Sequence, residues 1–367
     1  MMCGMKAAVL YKRGGPLVVE EIDLDGPRSG EVLVRLAASG VCRSDLHLMQ
    51  GVHPAPLPIV LGHEGAGVVE EVGEGVTHVR PGDHVVLSWL PHCGRCRFCA
   101  AGRPTLCTDL AWADAGLMRD GTTRLHRGDL RIHHNASSTF AEKTVVPAVS
   151  AIRIDPSLPI SEAALLGCAV MTGIGAVLNT ARVRPGSSVA VLGCGGVGLC
   201  IVQGAAIARA ARIVAIDIQR GRLDRAGVLG ATDLIDTSGA DAAAAVRGVL
   251  PDGADYVFEA LGESATIELA TRITGRGGMT VLVGLAHPDT RIPFDPLQMT
   301  FEERTITGCL YGSCVPARDF PMLIDLYRSG SLRLDRLVGS TCRLEEINDA
   351  FERMERGEGA RTLVLYE

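Results

Sequence analysis

The sequence predicts an α/β protein in which a doubly wound parallel sheet is inserted into a β-rich domain built from both chain ends. Three observations carry this reading. The 367 residues exceed what a single core usually holds, since one core seldom grows past ~250–300 residues. Residues 1 to 165 read as short β-branched runs between turns. From residue 184 onward, strands alternate with helices, the pattern of βαβ units and a parallel sheet.

In the first part, 32–36, 65–72 and 83–89 are the clearest strands, bounded by Pro27-Arg28-Ser29-Gly30 and Arg80-Pro81-Gly82-Asp83. The stretch 110–134 reads as a long loop. The change of rhythm comes at Arg184-Pro185-Gly186. A buried-type strand at 188–192 precedes a glycine turn and an alanine-rich helix to 210. Strands at 212–217, 232–235, 255–259 and 279–283 come next, with a helix over 220–229. After 310 come helices at 319–328 and 344–356 and a strand at 362–366. That tail is too small for its own core, so it should return to the N-terminal part. The expected domains are 1–169 with 310–367, and 170–309.

Composition excludes several classes. The hydrophobic fraction is 47% and the charged fraction 21%, an ordinary globular balance, and the net charge is −6. No basic run interleaves with aromatics, which argues against a nucleic-acid partner. The apolar N-terminal stretch is interrupted by Lys6 and is too short to cross a bilayer, so no membrane partner and a cytoplasmic location are expected. In a reducing compartment the 12 cysteines point to metal and away from disulfides.

Gly193-Cys194-Gly195-Gly196-Val197-Gly198 fits G-x-G-x-x-G between a predicted strand and helix. Gly193 permits the turn, Gly195 lets backbone approach a pyrophosphate, and Gly198 lets helix and strand close up. The helix N-terminus offers free N–H groups to phosphate. Asp217 ends the next strand, where a carboxylate would take the adenosine ribose hydroxyls of NAD and repel the extra phosphate of NADP. Arg220 and Arg222 blur that choice, and a flavin or other nucleotide site is the competing reading of the turn.

Cys93, Cys96, Cys99 and Cys107 lie within one short lobe at 90–110, an arrangement that closes a tetrahedral all-sulfur zinc site. An iron–sulfur cluster favours a shorter last gap followed by proline, and here Thr108 comes after Cys107. With four ligands used, this site should be structural. Cys42, His63 and Cys168 stand in three further phrases. Together they offer two thiolates and one imidazole, leaving a fourth position open.

These motifs resemble the zinc-dependent medium-chain alcohol dehydrogenase family, of the medium-chain dehydrogenase/reductase superfamily. The likeness rests on 42–47, 62–69, the cysteine lobe, Gly167-Cys168 with Thr172-Gly173, the glycine turn, and Gly359-Ala360-Arg361-Thr362, and it covers nearly the whole chain. It implies a GroES-like catalytic domain around an inserted Rossmann domain, with the cofactor in the cleft between them, and two Zn2+ per chain. Cys42, His63 and Cys168 would hold the catalytic zinc, the two-cysteine, one-histidine set known from alcohol dehydrogenase. Glu64 would be a transient ligand, and Asp45 would fix the His63 tautomer. Ser44 would take the alcohol proton and hand it through the cofactor ribose to His47. Arg43 and Arg361 would bind pyrophosphate, with Arg222 beside the ribose; Thr172, Val197, Val283 and Leu285 would frame the nicotinamide.

The chemistry this resemblance implies is reversible hydride transfer between an alcohol, primary and aliphatic or aromatic, and NAD. Trp89 would line the substrate channel, with Phe140 a second wall. The dimeric members' long loop suggests a homodimer through the sheet edge near Thr305 to Cys309. Three alternatives remain: a thiol-adduct-dependent formaldehyde dehydrogenase, a zinc-free quinone reductase, and a non-catalytic NAD-binding structural protein. The complete ligand set, with Ser44 and His47, weighs against the last two. Cys3, Cys194, Cys200, Cys309, Cys314 and Cys342 receive no role.

Overall fold

The structure, a computed structural model, describes residues 3–239 and 241–367, with the side chain of Cys3 outside that description. It divides into two units: Met1–Cys168 with Val315–Asp325 and Val338–Glu367, and Ala169–Cys314 with Leu326–Leu337.

In the first unit, a closed barrel joins Cys3–Leu10, Leu17–Leu24, Leu125–Arg127, Leu130–His134 and Ile59–Val60. Strand Cys3–Leu10 buries apolar side chains on both faces. Met5, Ala7 and Val9 meet Ile22, Leu125 and Ile132, while Ala8 and Leu10 join Leu61, Phe140, Ile347 and Phe351. The alternation reflects the two-residue period of a strand. Two barrel strands fall inside 110–134, which the sequence reads as loop. Their hydrophobic signal is only a few residues long and broken by Gly128, so pairing, not local pattern, reveals them.

Beside the barrel lies a 7-stranded sheet: Ala151–Arg153, His84–Leu87, Glu64–Val72, Glu31–Gly40, Arg361–Leu365 and Val338–Cys342 in order, with Lys143–Pro147 also on Glu31–Gly40. Gly40 faces Glu64 on one side and Leu363 on the other. The C-terminal strand is thereby brought to the place where Cys42 leaves the sheet, with the Val41 N–H donating to the Thr362 carbonyl at 3.0 Å.

His134 closes the barrel as a buried neutral base, its Nε2 accepting the Arg124 N–H at 3.1 Å. Burial, then the charges of Arg124, His133 and His126, press its pKa down to about 3. The unfolded chain, at an ordinary ~6.5, therefore binds a proton that the folded chain refuses. Stability from this source is complete above pH ~6.5 and falls as the pH drops toward ~3. Between pH 7 and pH 5 wild type should lose about 2 kcal/mol more than His134→Asn. Equal losses in urea unfolding would contradict this.

The second unit is built on a six-stranded, all-parallel sheet ordered Asp233–Asp236, Arg212–Asp217, Ser188–Leu192, Ala254–Glu259, Thr274–Leu282 and Thr305–Gly308. This is the doubly wound order 3-2-1-4-5-6, whose direction reverses between Ser188–Leu192 and Ala254–Glu259. Residues 326–337, which the sequence reading keeps with the tail, group with this unit instead. The Gln203 side chain accepts the Arg333 N–H at 2.8 Å and ties them there. No single helix among the described residues is long and apolar enough to cross a membrane.

Candidate active site

Cys42 is the N-cap of helix Arg43–Gln50, reached directly from strand Glu31–Gly40. His63 and Glu64 stand at the start of Glu64–Val72, after Gly62 at φ +88°. A side chain on Gly62 would meet the Phe140 nitrogen at 2.6 Å, so the turn that aims His63 needs glycine. Cys168 comes directly after the tight turn Ala164–Gly167. Three distant segments thus bring Cys42, His63, Glu64 and Cys168 together, all buried, with ligand atoms within 4.8 Å of one another.

The electrostatics fit a bound dication. The Cys42 thiol is pulled well below the ordinary range by its hydrogen bond with Cys168 and by the nearby His63 and Arg361 charges, while Cys168 is pushed up. Metal binding would require both sulfurs as thiolates, so a divalent ion there would release the proton that Cys168 is pushed to keep. For His63, burial opposes the charged form but the Asp45 and Cys42 charges outweigh it, so its pKa rises. Its Nδ1 lies 3.1 Å from Asp45 Oδ1, which leaves Nε2 as the ligand atom. Burial lifts Glu64 to about 7, against the pull of Arg361.

The cysteine lobe also fits zinc. Tetrahedral Zn–S bonds of ~2.3 Å require sulfurs about 3.8 Å apart. The four sulfurs lie within 4.8 Å of one another, with Cys93–Cys99 at 4.0 Å and Cys96–Cys99 at 3.5 Å. Backbone N–H groups point at the sulfurs, that of Cys96 at Cys93 (3.2 Å) and that of Cys93 at Cys107 (3.4 Å). Such donors from Cys99 and Thr108 bring Cys96 to about 5, whereas burial and Cys96 push Cys99 up to about 12.

Around the first centre, Ser44 Oγ is 3.6 Å from Cys42 Sγ. The His47 ring lies 5.8 Å from that of His53, and the Trp89 ring stands edge-on to His63 at 6.2 Å. Phe140, expected as a second wall of the substrate channel, is instead fully buried in the core, edge-on to Phe351 at 5.9 Å. Arg43 is exposed. Arg361, expected on pyrophosphate, is buried and ion-paired with Glu64. Sequence reasoning missed this pair, because it forms only when the last strand docks beside Glu31–Gly40. It also missed Asn135, whose Nδ2 lies 3.2 Å from Asp45 Oδ1. No local motif marks that residue.

In the second unit, Gly193 turns at φ +88° and Gly195 caps helix Gly196–Ile207. A Cβ on Gly198 would collide with the Gly193 carbonyl, which is why helix and strand need glycine there. Asp217 accepts the Cys194 N–H at 2.7 Å and the Gln219 N–H at 2.9 Å, and Arg222 reaches it at 3.9 Å. Thr172 lies on helix Ala169–Gly175, whose Gly173 backs onto the Val197 carbonyl; Leu285, against Gly262, is exposed.

Comparison with known proteins agrees with both units. The model of the alcohol dehydrogenase GroES-like domain matches residues 28–156, and that of the zinc-binding dehydrogenase matches 196–329. The S-(hydroxymethyl)glutathione dehydrogenase of Escherichia coli O139:H28 is 42% identical, over 98% of this chain and 99% of that protein. Among solved structures, an alcohol dehydrogenase zinc-binding domain protein from Burkholderia ambifaria superposes with TM-score 0.95 at 36% identity, covering 100% of both chains. Benzyl alcohol dehydrogenase from Acinetobacter calcoaceticus does so with TM-score 0.95 at 32% identity, again over 100% of both.

Proposed function

This chain belongs to the zinc-dependent medium-chain alcohol dehydrogenase family, and from that premise we propose that it interconverts a primary alcohol, aliphatic or aromatic, and its aldehyde with NAD. The observation that carries the reading is the buried convergence of Cys42, His63, Glu64 and Cys168, with His63 Nδ1 already committed to Asp45.

Zinc bound there would lower the proton affinity of a substrate oxygen, and NAD would accept or return the hydride. The chain's own residues do the rest. Cys42, His63 and Cys168 are the ligands, and Cys93, Cys96, Cys99 and Cys107 hold a second, structural ion, giving two per chain. Asp45 orients His63, and Arg361 neutralises Glu64 so that a second carboxylate near the sulfurs does not bind as a permanent ligand. Ser44, beside Cys42, receives the alcohol proton, and His47 on the same helix releases it. Gly193, Gly195, Gly196 and Gly198 shape the pyrophosphate turn. Asp217 favours NAD by its charge, and Arg43, Arg222, Thr172, Val197, Val283 and Leu285 complete the cofactor contacts.

Ser44→Ala is expected to lower turnover about 10²-fold or more, the usual loss when one positioned proton-transfer group is removed. Turnover within a factor of three of wild type would take Ser44 out of the mechanism.

Trp89, whose ring stands against His63, narrows the approach to the metal and favours primary over branched secondary alcohols. A second reading draws on the 42% identical E. coli protein, which is named for S-(hydroxymethyl)glutathione. In it the substrate is a thiol adduct of formaldehyde. Primary, benzylic and secondary alcohols assayed with NAD or NADP, and formaldehyde with and without glutathione, separate the two. Formaldehyde oxidation that requires glutathione, with feeble turnover of benzylic alcohols, would replace the first reading by the second.

We place the enzyme in the cytoplasm, since both sulfur sites need reduced thiols. We also assign it a homodimer through the edge strand Thr305–Gly308. In the segment leading into that strand Phe294, Leu297 and Phe301 are exposed apolar groups, and an unpaired edge with an apolar surround is costly to leave in water.

A further inference from the structure

We propose that Asn135 is a positioning residue for the metal centre: it holds Asp45, which in turn holds the His63 ring. Asp45 is fully buried, and three donors converge on its Oδ1. They are the Gly62 N–H at 3.0 Å, His63 Nδ1 at 3.1 Å and Asn135 Nδ2 at 3.2 Å. Among the described residues Oδ2 has no hydrogen-bond partner, and no arginine or lysine pairs with this carboxylate. A buried carboxylate solvated through one oxygen depends heavily on each donor it has. Among the described residues the amide is the only side-chain donor there besides the imidazole itself.

The backbone around Asn135 is built to hold that amide in place. Its N–H donates to the Val60 carbonyl at 3.2 Å and to Ser138 Oγ at 3.0 Å, and its carbonyl accepts the Ser138 N–H at 2.8 Å. Ser138 Oγ itself donates to the Val60 carbonyl at 3.0 Å. Within this turn two non-glycine residues sit in the left-handed region, Ala136 at φ +53° and Ser138 at φ +46°. Such conformations persist only where surrounding bonds over-determine them, and here the bonds converge on the residue that touches Asp45.

The consequence is positional. With Oδ1 pinned by the amide and by the Gly62 N–H, Asp45 presents a fixed acceptor to His63 Nδ1, and the ring keeps the tautomer and tilt whose Nε2 faces the sulfurs. Without the amide the carboxylate can turn about its side-chain bonds, and the imidazole it anchors tilts with it. Asn135 touches neither substrate nor cofactor in this role.

The inference rests on reading Cys42, His63 and Cys168 as a zinc site, and the cysteine lobe supplies an internal control. Zinc release from Asn135→Leu to a coloured chelator is expected to be about 10-fold faster or more from the Cys42 centre, as for other lost partners of a metal-bound histidine. Release from the lobe should be unchanged, which also reports that the variant is folded. Cobalt exchanged into the same centre should show a shifted visible spectrum. Asn135→Ala serves the same test should the leucine variant not fold. In an Asp45→Ala background, Asn135→Leu should add less than about 2-fold, because its action passes through Asp45. Wild-type retention and an unchanged cobalt spectrum in the Asn135 variants would overturn the proposal, as would a full effect persisting without Asp45. Wild-type protein that carries metal in the lobe alone would overturn the zinc reading as well.

Discussion

Cys42→Ala is expected to leave one zinc per chain, in the cysteine lobe, and to lower alcohol turnover by roughly 10⁴-fold, since a Lewis acid supplies several kcal/mol to the transition state. The physical case is the charge balance of the buried centre. Cys42 is pulled toward the thiolate while Cys168 is pushed up, and the Arg361 charge nearby is already paired with Glu64. Removing one sulfur leaves a single thiolate and one imidazole to offset the desolvation of a dication, with Glu64 engaged by Arg361. The fold should survive, because Cys42 caps a short helix without a side-chain cap bond. Two zinc ions per chain with turnover within 10-fold of wild type would show that Cys42 is not a ligand.

The second large effect is on stability. Arg124 is fully buried at the barrel wall. Its guanidinium donates to both oxygens of Glu31, at 2.8 and 2.5 Å, and to Asp120 at 2.8 Å. The remaining nitrogen reaches Thr122 Oγ1 at 2.5 Å and the Thr123 carbonyl at 3.2 Å. Every donor is used, which is what a buried charge requires. Arg124→Met should cost about 3–5 kcal/mol, because it strands the Glu31 carboxylate in the interior. Adding Glu31→Gln should recover most of that, since the uncompensated charge, and not the missing contact, is the main cost. Chemical denaturation of the three proteins decides it. A single variant within about 1 kcal/mol of wild type would show that water reaches Glu31 and screens it.

The contrast between Arg124 and the sheet of the second unit shows what was legible in the sequence. Strands Ser188–Leu192 and Arg212–Asp217 carry their signal within five or six residues of β-branched and small apolar side chains, and the structure places them there. The glycine turn is likewise local, since its chemistry depends on backbone shape over six residues. Strands Leu125–Arg127 and Leu130–His134 are short and rich in Arg and His. Their burial comes from partners distant in the chain, so no local period announces them.

The candidate metal centre divides along the same line. Cys42, His63 and Cys168, which the structure brings together, are legible in the sequence because thiol and imidazole side chains are rare and chemically pointed. Their supports were not. Arg361 lies beside Glu64 through the pairing of the last strand with Glu31–Gly40. Asn135 meets Asp45 only because a strained turn folds back beside Val60. Phe140 shows the opposite error: an aromatic near the ligands in sequence logic is a packing residue in space.

In the proposed reaction an ion is bound by Cys42 Sγ, His63 Nε2 and Cys168 Sγ. Anomalous diffraction at the zinc edge, on crystals of zinc-replete protein, tests this most directly. Two peaks per chain are expected, one among Cys93, Cys96, Cys99 and Cys107 and one within about 2.0–2.3 Å of the other three ligand atoms. A lobe peak alone, with no density between Cys42, His63 and Cys168, would contradict it.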